Sequence, residues 1–401
     1  VNVRALHAAF VDVVERHESL RTVFPLTDNG PRQVIMSTSQ VVSDLVPILV
    51  QGEEELRERS RQIASVGFDV TQQVPMRATL LRRDDQVHSH VLVIVIHHIA
   101  ADGFSTVPLA RDLMSAYSSR VNGEAPQWTP LGIQYADYAL WQRGWLGSES
   151  DSRSLISKQL GYWAENLAGA PEVLDIPTDR PRGDVRSLRR GRIRFVFGPK
   201  VHAGVVALSR KHNATVFMVV HAALAVLLAR LSDEDDVAVG TPIAGRGERE
   251  LDDLVGMFVN TLVLRTAVDR GATFGDFLDQ VRNVDLSAFI HADVPFERVV
   301  EIVNPSRSTA YSPLFQVMLE FQDIERPALE LPDLQVTDVG VEIDTINFDL
   351  QLTVTQNAGA AGESDGIRAE FGYSTDIFDE ETVAGFAGRL QRILERVITD
   401  P

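Results

Sequence analysis

No cysteine occurs among the 401 residues. That absence excludes disulfides, thiolate metal sites and a cysteine nucleophile together, and it fits a reducing compartment, so the expected location is cytoplasmic. Basic charge is scarce as well: 38 Lys and Arg stand against 56 Asp and Glu, a formal net charge of −18. With no basic stripe read along the chain that could track a phosphate backbone, nucleic acid and anionic membranes are not expected as partners. Long hydrophobic runs are missing too. The most membrane-like stretch, ATVFMVVHAALAVLLARLS (Ala214 to Ser232), contains Thr215 and His221 and is closed by Arg230, whereas a spanning helix needs about 20 apolar residues. It predicts a helix that is apolar all round because it lies in a soluble core. Neither G-x-x-x-x-G-K-[ST] nor G-x-S-x-G is found, and GTPIAGRGERE has glycines without either spacing, so it is read as a loop.

What is present suffices for two lobes, since single cores rarely grow beyond about 250 to 300 residues. The opening VNVRALHAAFVDVVERH predicts an amphipathic helix with Leu6, Phe10, Val13 and Val14 on one face, so the chain reads as beginning inside a domain. SLRTVF predicts a short strand, and MRATLLRRDDQVHSHVLVIVIHHIA two strands joined at Asp84 and Asp85. In YADYALWQRGW, Tyr135, Tyr138, Trp141 and Trp145 share a helix face, a packing stripe before it is a ligand-stacking box. The proline- and glycine-rich IPTDRPRGD, Ile176 to Asp184, marks a boundary between an N-terminal lobe, 1–178, and a C-terminal lobe, 179–401. Farther on, NFDLQLTVTQ and GIRAEFGYS alternate as a long-looped antiparallel hairpin, and a last helix buries Val383, Phe386, Leu390, Ile393 and Val397. Helices and strands are mixed in both lobes, so the class is α/β, or α+β with layered sheets.

The strongest chemical signal is VLVIVIHHIAADGFS, Val91 to Ser105. Six uninterrupted aliphatic residues suit a strand covered on both faces, and such a strand is expected to be central. Successive strand side chains point to opposite faces, so His97 and His98 cannot both enter one cavity: one is a candidate for chemistry, the other for support. Histidine suits proton transfer near neutral pH. Asp102 and Gly103 close the loop before the next helix, where glycine permits a positive φ or close approach to a ligand. A shared metal site for His88, His90, His97 and His98 is disfavoured, because at about 3.3 Å per residue His88 and His98 lie roughly 30 Å apart. Paired structural histidines are the remaining bland reading.

HHIAADG resembles the H-H-x-x-x-D-G signature of condensation domains from nonribosomal peptide synthetases. RHESLRTVF (Arg16 to Phe24), YADYALWQR (Tyr135 to Arg143), GTPIAGRGERELDDLVGMFVNTLVLR (Gly240 to Arg265), HADVPFERVVE (His291 to Glu301) and SPLFQVML (Ser312 to Leu319) are similar to further family segments in the expected order. The resemblance implies two chloramphenicol-acetyltransferase-like lobes in a V-shaped pseudodimer with a tunnel between them, its floor formed partly by the loop around Gly240 to Asn260. It implies an acyltransferase that joins an acceptor aminoacyl amine to a donor aminoacyl or peptidyl thioester. The substrates would be tethered to the 4'-phosphopantetheine arms of upstream and downstream peptidyl carrier proteins, with an adenylation domain adjacent and no cofactor or metal bound by the domain itself. By motif position His98 is the active-site histidine, acting as general base or positioning group, and Gly103 keeps the acceptor channel open. His97 supports the loop, and Asp102 pairs with Arg21 in a structural role. A family segment with an S-x-A-Q-x-R-L-W-like motif, usual ahead of the first helix, is lacking, and Phe104 stands where tryptophan is common. The second histidine is retained, unlike in degenerate recruitment domains. A non-catalytic carrier-docking module and a related acyltransferase or epimerase are the alternatives.

Overall fold

Helix α1, Val3–Arg16, forms where the apolar spacing predicts it, with the Asn2 side chain accepting the Ala5 N–H at 3.1 Å. In this computed structural model the residues described are 1–401 except 43, 86–88, 307, 323–329, 332–333, 338, 340–344 and 359–363. They divide into two compact units. The first holds Val1–Trp145, Ala244–Val259 and Ile324–Ile343; the second holds Leu146–Ile243, Asn260–Asp323 and Asp344–Pro401.

In the first unit a three-stranded sheet contains β1 (Ile48–Val50), β2 (Met76–Arg83) and β3 (His90–Ile96). Helix α2 (Gly52–Ser65) lies between β1 and β2 in sequence, and α3 (Thr106–Val121) and α4 (Tyr135–Leu146) follow β3. Strand β2 is central, parallel to β1 and antiparallel to β3. Val50, Leu81 and Val93 pack with Leu56 of α2 on one face. Met76 and Leu80 pack with Phe10, Val13 and Ala116 of α1 and α3 on the other, joined there by Leu92, Ile94 and Ile96. The unbroken aliphatic run thus reflects two covered faces, as expected. Its expected central position is corrected: among the described residues β3 is an edge strand, because face coverage and edge pairing are independent and only the former dictates side-chain polarity.

In the second unit, α5 (Leu155–Asn166), β4 (Arg190–Phe197), α6 (Pro199–Lys211), α7 (Val216–Ser232), β5 (Asp236–Ile243) and β6 (Asn260–Ala267) are followed by α8 (Phe274–Ile290) and α9 (Phe296–Val303). Then come β7 (Val317–Gln322), β8 (Leu350–Ala358), β9 (Ser364–Ser374) and α10 (Glu380–Val397). The strands form one six-stranded sheet in the order β6-β5-β7-β8-β9-β4, with β7 parallel to both its neighbours and β8–β9 the antiparallel pair read from the sequence. Leu350, Leu352, Val354, Ile367 and Phe371 are fully buried against α7 and α10. Helix α7 is a core helix, as expected, and among the described residues no single helix is long and apolar enough to cross a membrane.

The boundary expected between 178 and 179 does not coincide with these units. Ile156, Leu160, Trp163 and Leu167 of the α5 region pack with Leu262, Leu264 and Phe315, so the chain joins the second core well before the proline-rich segment. That segment is itself fastened there: Arg180 donates to the carbonyls of Thr375, Asp376 and Phe378 and to Asp379. Proline, glycine and charge marked irregular backbone, and irregular backbone held by hydrogen bonds need not be a boundary.

Where α1 ends, a buried ionic knot ties it to α3. Asp112 is 3% exposed and accepts from Arg16 Nε at 2.7 Å and His17 Nε2 at 2.9 Å, with Arg111 Nε 3.1 Å from its other oxygen. Burial lowers the His17 pKa below its ordinary value of 6.5. Burial opposes the Asp112 charge too, but the His17 hydrogen bond, the field of Arg111 and the Arg16 hydrogen bond outweigh it and hold that carboxyl below its ordinary range. The unfolded chain therefore binds a proton at His17 that the folded one refuses. This contribution to stability is complete above about pH 6.5 and is lost as pH falls below it. Melting temperatures measured from about pH 8 down to pH 5 should decline below about 6.5, and His17→Gln should remove part of that decline; an unchanged slope in the variant would contradict the assignment.

Candidate active site

Strand β3 runs out at Ile96, and the backbone turns at once. The His97 N–H donates to Pro75 O at 2.8 Å, extending the ladder by one residue, and the Ala100 N–H donates back to His97 O at 2.9 Å. Inside that turn the Ile99 N–H donates to His97 Nδ1 at 3.0 Å, and the His97 ring meets the Phe68 ring edge-on with centroids 6.2 Å apart. The turn separates the two histidines. His97 is half-buried and bonded, while His98 is exposed, and among the described residues nothing hydrogen-bonds its ring. A neutral imidazole so placed has a free acceptor nitrogen and a free donor nitrogen, which is what a proton carrier or an amine-orienting group requires.

Four residues past His98 the chain is anchored by a buried carboxylate. Asp102 Oδ1 accepts from the Ser105 N–H at 2.8 Å, lies 2.8 Å from Ser105 Oγ and accepts from Arg246 Nη2 at 3.2 Å. Its Oδ2 accepts the Phe258 N–H at 3.0 Å. The Asp102 N–H donates to Gly256 O, and the Gly256 N–H donates to Ser105 Oγ, both at 3.1 Å. Asp102 and Ser105 thus join the turn to the segment 244–259, which belongs to the same unit. Arg246 also donates to the carbonyls of Leu251 and Leu254, and its guanidinium lies 4.2 Å from the Phe258 ring centroid. Gly103 is exposed, and its carbonyl accepts from Thr106 Oγ1 at 2.7 Å at the start of α3.

The expected Asp102–Arg21 pair is therefore corrected. Arg21 donates to the carbonyls of Val14 and Met36 and lies 3.5 Å from Glu18, and the cation beside Asp102 is Arg246. The carboxylate that the α1 end does hold is Asp112, through Arg16 and His17. A buried aspartate announces that a cation is needed, but sequence order does not say which arginine folds back over a separation of 144 residues. Arg246, Ser105, Gly256 and Phe258 were missed as site residues. A signal existed in the glycines of GRGERELDDLVGMF, because Gly245 has φ +63° and a side chain at Gly256 would collide with its neighbours. His88, part of the disfavoured metal reading, lies outside the described residues.

Helix α4 splits its aromatic stripe between two roles. Tyr135 and Tyr138 pack on Phe258, with centroids 5.2 and 4.8 Å away, whereas Trp141 and Trp145 stack on each other and are about half exposed, 48% and 51%. The Tyr135 hydroxyl donates to Met257 O at 2.7 Å, and burial, with the fields of Tyr138 and Asp102, pushes its pKa up to about 12. It stays a neutral donor. A Cβ at Gly256 would fall 2.7 Å from Phe258 Cε2 and 2.9 Å from Tyr135 Cε2. Gly256→Ala should therefore cost about 1 to 3 kcal/mol of stability in denaturant titration; an unchanged midpoint would show that the aromatic wall yields.

The condensation domain family matches residues 1–401. The chain is 44% identical over 403 residues to a probable non-canonical nonribosomal peptide synthetase, CymA, of Salinispora arenicola, covering 100% of this chain and 5% of that protein. It is 43% identical over 403 residues to the isonitrile lipopeptide synthase of Mycobacterium tuberculosis, covering 100% of this chain and 16% of that protein. It therefore spans only a small part of these relatives' length. Among solved structures, the X-domain in complex with OxyB from teicoplanin biosynthesis is similar with a TM-score of 0.92 and 33% identity, covering 100% of this chain and 86% of that one. The mixed α/β fold, the ordered turn HHIAADG and a family match over every residue lead to one conclusion: the chain belongs to the condensation domain family and is a condensation domain of the nonribosomal peptide synthetase type.

Proposed function

We propose that this domain is a catalytic acyltransferase that joins two carrier-bound building blocks through an amide bond. The acceptor amine nitrogen attacks the donor thioester carbonyl carbon. A C–N bond forms, the C–S bond breaks, and the proton lost by the amine ends on the released donor thiol. The observation that carries this reading is His98, an exposed imidazole on a turn whose two neighbouring residues are bonded to each other. His98 accepts a hydrogen bond from the attacking amine, orienting its lone pair or taking its proton, and Gly103 leaves the approach open. The building blocks are held as thioesters on the 4'-phosphopantetheine arms of peptidyl carrier proteins, one upstream and one downstream, with an adenylation domain supplying the acceptor and the whole working in the cytoplasm.

The test is reconstitution with a donor carrier and an acceptor carrier loaded from a panel of amino acids, followed by mass analysis of the acceptor arm. Amide on that arm is expected, with coenzyme A thioesters inactive as donors. Hydrolysis without amide would overturn the reading. Equal activity with coenzyme A thioesters would favour a related acyltransferase. The likeness to an X-domain in complex with OxyB favours a second reading, a docking module for a partner enzyme, which predicts partner binding and no amide from any pair.

A further inference from the structure

His98 stands between two residues joined by an uncommon bond. A backbone amide can only donate, so the 3.0 Å contact from the Ile99 N–H requires His97 Nδ1 to be bare, with the ring proton on Nε2. The arrangement copies an Asx turn, in which a side-chain acceptor takes the N–H two residues on, but uses an imidazole in place of the amide oxygen. An imidazole is bulkier and can rotate, so the turn depends on what holds the ring. Phe68 meets it edge-on, with ring planes at 87°. Phe68 is held in its turn: the Arg77 guanidinium lies 4.0 Å from its ring centroid, within cation–π range, and donates to the carbonyls of Val66 and Gly67 just before it. Arg77 itself is set in the sheet, on β2 opposite Val95 of β3. The contacts run from the strand pair through Arg77, Phe68 and His97 to the turn that carries His98.

We propose that Arg77 and Phe68 are positioning residues for the reaction, acting through the tautomer and rotamer of His97 to fix the direction of the His98 imidazole. This rests on the reading of His98 as the acting group. Neither residue reaches the reacting atoms; their effect is on the turn.

The test uses the intact domain with isotope-labelled histidine and reads imidazole nitrogen resonances, assigned by His97→Phe and His98→Ala, alongside the rate of amide formation with two loaded carriers. The native protein should show His97 protonated on Nε2 and bare at Nδ1. Phe68→Leu and Arg77→Met should shift the resonances of both His97 and His98, and should lower the turnover rate by about tenfold or more with little change in acceptor KM, since a misplacement of about 1 Å can cost on the order of a hundredfold. His97→Phe keeps a ring and loses the acceptor, so it should be at least as impaired. His97→Asn restores an acceptor to the Ile99 N–H and should recover most of the rate. A purely structural role would instead lower the melting temperature of all these variants without that ordering. A native His97 protonated on Nδ1, His98 resonances unmoved in Phe68→Leu, or His97→Asn no faster than His97→Phe would overturn the proposal. The resonances need no substrate. A native domain that forms no amide, yet shows the expected shifts, would sink the catalytic reading while leaving the positioning contacts standing.

Discussion

Asp102→Ala is expected to unfold at markedly lower denaturant concentration than the native domain, with a loss of about 3 to 5 kcal/mol, the cost of breaking a buried ion pair on one side. The carboxylate has 0% side-chain exposure and the Arg246 side chain 7%, so removing the anion leaves a cation shielded from water. It also deprives the backbone N–H groups of Ser105 and Phe258 of their acceptor, and buried donors left unpaired are expensive. The loss should reach the site, because these bonds hold the segment 244–259 against the turn that follows His98. A double-mutant cycle identifies the partner. Asp102 and Arg246 should couple by more than about 1 kcal/mol, whereas Asp102 and Arg21 should add independently to within about 0.5 kcal/mol. Coupling to Arg21 with none to Arg246 would reverse the assignment.

His98→Ala is expected to do the opposite. The side chain is exposed and, among the described residues, unbonded, so its removal should change stability by no more than about 0.5 kcal/mol. Amide formation should fall by a factor on the order of 10² to 10⁴, the usual worth of a positioned acid–base group. His98→Gln, which keeps hydrogen bonding but cannot carry a proton near neutral pH, separates the two roles open to the imidazole. Substantial activity in that variant means orientation; loss equal to alanine means proton transfer.

Much of this was legible before any coordinates. Period-3.6 spacing gave α1 and α10, and period-2 alternation gave the β8–β9 pair, because amphipathic periodicity is a direct record of which face meets a core. Strand alternation alone implied that His97 and His98 could not share one cavity, and only motif position distinguished them. The partner of Asp102 was not legible, since pairing across the chain is decided by where the segment 244–259 returns, and nothing local to Arg21 or Arg246 encodes that. The edge position of β3 was hidden for a related reason: side chains record what covers a sheet's faces, while edge pairing uses backbone groups that every residue shares. The seven arginines between Arg180 and Arg194 show a third limit. Their acidic partners lie far away in sequence and could not be read from local spacing: Arg180, Arg182 and Arg194 meet Asp379, Asp349 and Glu370.

Whether His98 carries the chemistry and Asp102 the architecture is decided by measuring stability and single-turnover amide formation together on His98→Ala and Asp102→Ala. The two variants should dissociate: His98→Ala keeps the native unfolding midpoint and loses the product, and Asp102→Ala loses the midpoint. A His98→Ala domain that is stable and still transfers the donor to the acceptor arm at the native rate would contradict that division.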